Sequence, residues 1–250
     1  MSPPPAAARP VLILGAGSDI ARALARELAR RGHPLRLAAR DPATLERDRA
    51  DLATRFGVEA TAHRYDALET DRIEAFLDAL PETPRIVVSA VGLLGDAEAD
   101  AADPARARRV IDANFTGPAL ALEAAARRMA ALDEPTAVIG IGSVAGDRGR
   151  ARNYVYGAAK AGFAEWLSGL RQKHVRGRVH VMTVKPGFVF TAMTEGMDLP
   201  KALTATPEAL ARRILAALDR GRMVHYDLRW LAVMTVVKLI PERAFARLRF

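Results

Sequence analysis

Val11-Leu12-Ile13-Leu14-Gly15-Ala16-Gly17-Ser18-Asp19-Ile20-Ala21 is the stretch on which the fold turns. A four-residue apolar run bounded by glycine reads as a fully buried strand, and the segment that follows, to residue 31, places its apolar residues at helical spacing. A strand that passes through a glycine turn into a helix leaves the first N–H groups of that helix free, at the positive end of its dipole. This is a cradle for phosphate. Glycine at 15 and 17 lets the backbone come close to a pyrophosphate. The dinucleotide fingerprint G-x-G-x-x-G is not completed, because Ile20 stands at the third position and the small residue arrives at Ala21.

Outward from that unit the chain repeats it. Apolar strands are expected at 11–14, 35–39, 58–63, 85–89, 136–141, 179–184 and 223–226, separated by helical patterns at 19–31, 45–55, 105–131 and 156–172. The alternation predicts an α/β fold, a Rossmann-type doubly wound parallel sheet in a single domain with helices on both faces. With 250 residues the chain suffices for one large core. The proline-rich head predicts a disordered tail over 1–9, the Rossmann-type body occupies 10–227, and an apolar and basic extension covers 228–250.

Net charge is +8, from 37 basic and 29 acidic residues. The basic residues are scattered over Ala-rich helices with no nucleic-acid motif beside them, so no nucleic-acid partner is expected. Absence of Cys excludes disulfides and thiol chemistry. The five His residues form no pair at ligand spacing, and no metal is assigned. No cleavable leader and no membrane-length apolar run is visible, which predicts a cytoplasmic protein.

Tyr156 and Lys160, four residues apart, share one helix face. A cation near a phenol makes it acidic enough to move protons near neutral pH, although the same spacing also occurs where a Lys merely lies over an aromatic ring. Tyr154 lacks this partner, since Ala158 stands four residues on. Ser143 ends the strand at 136–141, and Asn114 falls in the helix after Ser89-Ala90-Val91-Gly92. Pro186-Gly187 is followed by Thr191.

In this order the motifs resemble the short-chain dehydrogenase/reductase family, over nearly the whole chain. On the family's T-G-x-x-x-G-x-G turn the positions here are Leu14, Gly15, Asp19 and Ala21, and Asp19 in place of glycine bears on how closely that backbone can approach phosphate. The resemblance implies hydride exchange between a nicotinamide and a carbonyl or alcohol. It makes Tyr156 the general acid, Ser143 the group that stabilises the substrate oxygen, and Lys160 the residue that lowers the Tyr pKa and grips the ribose. Asn114 would hold a water linking Lys160 to solvent. Gly15, Gly17, Ser18, Asp19, Ile20, Ala90, Gly92, Pro186, Gly187 and Val189 would face the dinucleotide, Thr191 would orient its carboxamide and Asp66 would lie beside its adenine. Arg40, at the end of the second strand, favours NADPH over NADH, with Asp41 as the competing acid.

Within the family, Val91-Gly92-Leu93-Leu94-Gly95-Asp96, Asn153-Tyr154-Val155-Tyr156-Gly157 and the ending 240–248 resemble reductases of 2-keto pentoses carried on decaprenyl phosphate. That resemblance implies a lipid-linked sugar substrate, a flavin-dependent oxidase as partner and a homo-oligomer. Trp230-Leu231-Ala232-Val233-Met234-Thr235-Val236-Val237, flanked by Arg and Lys, is expected either to lie at the inner face of the plasma membrane or to pack against the subunit or a second copy. The competing readings are a soluble NADPH-dependent ketoreductase of another small or acyl substrate, and a non-catalytic dinucleotide sensor.

Overall fold

The structure is a computed structural model and describes residues 9–248. In chain order its strands are β1 (Val11–Leu14), β2 (Leu35–Ala39), β3 (Ala60–Arg64), β4 (Ile86–Ser89), β5 (Thr136–Ile141), β6 (Val179–Lys185), β7 (Phe188–Val189), β8 (Thr204–Ala205) and β9 (Val224–Tyr226). The helices are α1 (Asp19–Arg30), α2 (Glu46–Phe56), α3 (Ile73–Asp78), α4 (Ala97–Ala102), α5 (Pro104–Ile111), α6 (Gly117–Met129), α7 (Tyr154–His174), α8 (Pro207–Asp219), α9 (Leu228–Leu239) and α10 (Glu242–Phe245).

Seven strands form one parallel sheet in the order β3-β2-β1-β4-β5-β6-β9, and β7 pairs with β8 apart from it. The order reverses between β1 and β4, and in open α/β sheets ligands bind at that crevice, beyond the carboxyl ends of the strands. Side chains alternate across each strand. Val11 and Ile13 of β1 therefore enter one core with α1 and α8, while Leu12 and Leu14 enter the other with α6 and α7. Both faces of the central strands are covered, which is why they read as unbroken apolar runs rather than as alternating ones.

One expectation needs correction. The helix expected at 105–131 is interrupted: α5 passes into a π-helical turn at Asp112–Thr116 before α6 begins. Wide turns of this kind concentrate at functional sites, and Asn114 lies inside this one. Within the extension expected at 228–250, α9 packs against the body, one of the placements expected for it. Trp230 and Met234 of α9 are buried with Val144, against Phe188 and Tyr226. Arg148 then fixes the far end of α9, donating to the carbonyls of Lys238 and Ile240 at 3.4 and 3.2 Å, pairing with Glu242 at 2.6 Å and lying over the ring of Phe245. Of the tail expected at 1–9 only Arg9 falls within the described residues; it is anchored, 2.6 Å from Glu134. Residues 249 and 250 also lie outside the described residues.

Candidate active site

The glycine turn after β1 is held to β2 by two hydrogen bonds, from Gly15 and Ala16 to the carbonyl of Ala38. Gly15 has φ +75, and a Cβ on it would meet the backbone of Ala90 and Val91 at about 3 Å. Only glycine fits there, both for its left-handed conformation and for its contact with the end of β4. Ser18 caps α1 by accepting from the Ala21 N–H at 3.2 Å. Asp19 is the first residue of α1 and its carboxylate faces across the cleft to Ala192.

Two adjoining cavities meet at Gly17, Ser18 and Gly92. One, of about 590 Å³, runs along Arg40, Asp41, Asp66 and Ala90. The other, of about 390 Å³, contains Asp19, Ile20, Ser143, Tyr156, Lys160, Pro186, Gly187, Val189 and Thr191. Apart from Asn114, the residues expected from sequence therefore line these two adjoining cavities, Gly15 among them. A nicotinamide dinucleotide fits this donor set: free N–H groups and glycine for the phosphates, and a basic residue at the ribose end. Arg40 has no hydrogen bond or ion pair among the described residues. Asp41 spends its carboxylate on the Ala43 N–H at 2.9 Å, capping the short turn Pro42–Leu45. Asp66 likewise accepts from Leu68 at 3.0 Å in its own turn while lining the cleft.

Tyr156 and Ser143 line the same wall of the cleft, and the Ser143 hydroxyl draws the phenol pKa down against burial; burial is the larger influence, and the net shift is upward. Lys160 is fully enclosed, and burial pushes its pKa down to about 8. Its Nζ donates to the carbonyls of Val91 and Ile141, at 3.2 and 3.1 Å, and lies 5.9 Å from the centre of the Tyr156 ring. The ammonium is thus held at the carbonyls by the ends of β4 and β5. Ser143 also bonds its own turn, accepting from Ala145 at 3.1 Å. Tyr154 is exposed and takes no part in the cleft.

Asn114 is completely buried, and its amide fastens the loop after β4. Nδ2 donates to Leu93 and Val110 carbonyls at 2.7 and 2.8 Å, and Oδ1 accepts from the Leu93 N–H at 3.1 Å. Both donors are spent on this loop rather than on a link to Lys160. Thr191 lies within reach of Thr194, its Oγ1 at 3.4 Å from that of Thr194.

Sequence reasoning did not place Trp230 in the site. The indole stacks edge-on against Phe188, ring centres 5.0 Å apart, and donates from Nε1 to the Leu203 carbonyl at 2.8 Å. A Cβ on Gly187 would overlap this ring. Nor did it find Asp147, which accepts from Lys185 at 2.7 Å and from Tyr226, stitching the ends of β5, β6 and β9 beneath α9. No spacing rule links residues that far apart; the one available signal was Gly187, whose missing side chain makes room for the indole.

Comparison with known proteins agrees with this geometry. A profile of the family described as short chain dehydrogenase matches residues 9–201. An uncharacterized oxidoreductase of Mycobacterium tuberculosis is 34% identical over 245 residues, covering 96% of this chain and 97% of that protein. The 3-oxoacyl-[acyl-carrier-protein] reductase MabA of the same organism is 29% identical over 198 residues, covering 78% and 75%. A short-chain dehydrogenase from Sphingobium yanoikuyae in complex with NADPH superimposes with TM-score 0.77 at 25% identity, covering 93% and 97%. With the Ser143, Tyr156 and Lys160 side chains converging beside a glycine turn at the sheet's switch point, this chain belongs to the short-chain dehydrogenase/reductase family and is an NAD(P)-dependent oxidoreductase.

Proposed function

We propose that the protein reduces a ketone with NADPH and that the ketone is a keto-sugar carried on a polyprenyl phosphate. The observation that carries the reduction is the placement of Tyr156 with Ser143 and Lys160 on one wall of the cleft. When bound, the dihydronicotinamide supplies a hydride to the carbonyl carbon. The Tyr156 hydroxyl gives its proton to the carbonyl oxygen, and the Ser143 hydroxyl donates to the same oxygen as charge gathers there, leaving an alcohol. Because burial raises the Tyr156 pKa, the phenol holds its proton at neutral pH and is a donor in the reducing direction.

For the substrate, support comes from the walls. Leu94, Phe188, Met193, Met197 and Trp230 make the cleft largely apolar. Beyond it α9 exposes Leu228, Leu231, Val236 and Leu239, with Arg229 and Lys238 on the same helix. Among the described residues no helix is long and apolar enough to cross a membrane. An apolar helix face beside basic residues suits attachment to an anionic lipid surface at the inner face of the plasma membrane, with a flavin-dependent oxidase generating the ketone. A second reading, reduction of a 3-oxoacyl group, has its support in the likeness to MabA.

Turnover decides between them. NADPH consumption with a polyprenyl-phosphate 2-keto pentose well above that with acetoacetyl thioester supports the first reading, and the reverse order supports the second. Sedimentation with anionic liposomes, weakened by a Leu231→Asp/Val236→Asp variant that spares the buried side of α9, tests the surface attachment.

A further inference from the structure

Two polar side chains in the catalytic cleft have no part in the steps above. Arg150 and Asn153 come from the loop that joins Ser143 to α7, and both line the cleft with Ser143 and Tyr156. Nε of Arg150 is buried without a hydrogen-bond partner, and so is Oδ1 of Asn153. Arg150 also lacks an ion pair among the described residues. Its pKa is lowered by burial, with no carboxylate acting against it. Arg148, two residues earlier, shows the contrast, with Glu242 and two carbonyls around its guanidinium. The acid of the same loop, Asp147, is already taken by Lys185 and Tyr226. Asn153 occupies the N-cap of α7, a position where Asn usually bonds the helix start, yet its side chain makes no such bond.

A buried guanidinium Nε without an acceptor and a buried carbonyl oxygen without a donor are each unfavourable, and buried polar groups are otherwise almost always paired. Here both occur within three residues, on the wall that meets the reacting carbonyl. Their partners are therefore expected to arrive with the ligand. We propose that Arg150 and Asn153 anchor an oxyanion-bearing ketone: Arg150 donates to the oxygens of a phosphate ester or carboxylate, and Asn153 Oδ1 accepts from a hydroxyl of the same molecule. This rests on the reading of the cleft as a ketone-reducing site, and it defines which ketones that site prefers. Arg suits the task because its planar fork matches the geometry of phosphate and carboxylate, which an ammonium does not.

The test uses two pairs of ketones that differ in charge, D-ribulose 5-phosphate against D-ribulose, and acetoacetate against ethyl acetoacetate. The full chain should favour the anionic member of at least one pair in kcat/KM, and which pair it is identifies phosphate or carboxylate as the group bound. Arg150→Gln should lower that anionic-to-neutral ratio about 10- to 100-fold, chiefly through KM, with Arg150→Lys intermediate. Calorimetric titration of the NADP⁺-saturated protein with the anionic ketones gives a readout independent of turnover: binding in the wild type and its loss in Arg150→Gln support the proposal even if no ketone is reduced, in which case the ketoreductase reading alone fails. Equal loss for charged and neutral members, or a wild type that distinguishes neither pair in rate or binding, overturns it. NADP⁺ affinity of the variants reports their folding, and if Arg150→Gln fails that check the ratio in Arg150→Lys decides.

Discussion

The carboxylate of Asp19 accepts a hydrogen bond from the backbone N–H of Ala192 at 2.8 Å, across 173 residues of sequence. One residue belongs to the glycine turn at the start of α1 and the other to the segment that follows Thr191, so this bond ties one wall of the cleft to the opposite one. Its position explains how an acid can stand where the family has glycine: at the cleft wall the charge is engaged by the Ala192 N–H, by Arg22 at 3.8 Å and by the helix N-terminus.

Breaking that tie should loosen the far wall. In Asp19→Ala the Ala192 amide loses a charge-assisted hydrogen bond, and hydrogen exchange in the peptide spanning 188–197 should accelerate by an amount equivalent to about 1.5–3 kcal/mol. Unchanged protection would mean that β7 and β8 hold the segment without help from Asp19.

Tyr156→Phe keeps the ring and removes the proton donor. Turnover should fall about 10²- to 10⁴-fold with NADPH affinity largely retained, while Tyr154→Phe should behave as wild type. A Tyr156→Phe variant that keeps more than half of the activity refutes the assignment.

Lys160 makes stability depend on pH. Its folded pKa of about 8 lies below the ordinary 10.5. Below about pH 8 both folded and unfolded chains hold the proton, and the cost of burying the ammonium is fully present. Between about 8 and 10.5 the unfolded chain binds the proton that the folded chain has released, so the folded state gains as pH rises. Urea melts of wild type and Lys160→Met should therefore diverge across this window, the wild type gaining up to about 3 kcal/mol relative to the variant. A constant difference from pH 7 to 10 would show that the ammonium is not desolvated.

Arg40 is free to meet a 2'-phosphate, whereas Asp41 is committed to the Ala43 N–H. Wild type should bind NADPH more tightly than NADH, and Arg40→Ala should erase most of the difference, about 1.5–3 kcal/mol for a charge-assisted contact. Calorimetry with both cofactors measures it; equal affinities in the wild type would reject it.

Trp230 closes the cleft from α9. Trp230→Ala should cost about 3–5 kcal/mol in urea unfolding, as truncations of large buried aromatics do. Gly187→Ala should reproduce part of that loss by displacing the same indole. If Gly187→Ala is neutral in both stability and turnover, the packing of α9 on the Pro186-Gly187 turn is looser than described.

The sequence by itself determined the sheet and the sharing of one helix face by Tyr156 and Lys160, because both are written in local terms. Strand burial on two faces yields continuous apolar runs such as Val11–Leu14, a phosphate turn needs glycine at 15, and two side chains four apart on a helix must share a face, as Tyr156 and Lys160 do. What the tertiary structure alone decided were relations between distant segments. Hydrogen bonding within the site turned Lys160 toward the carbonyls of Val91 and Ile141 and spent Asn114 on the loop after β4. Packing brought Trp230 over Gly187 and split a helix expected at 105–131 by a π turn. Burial left Nε of Arg150 and Oδ1 of Asn153 unpaired in the cleft. None of these has a spacing, since each depends on which surfaces the folded sheet presses together and which polar atoms that pressing leaves without water.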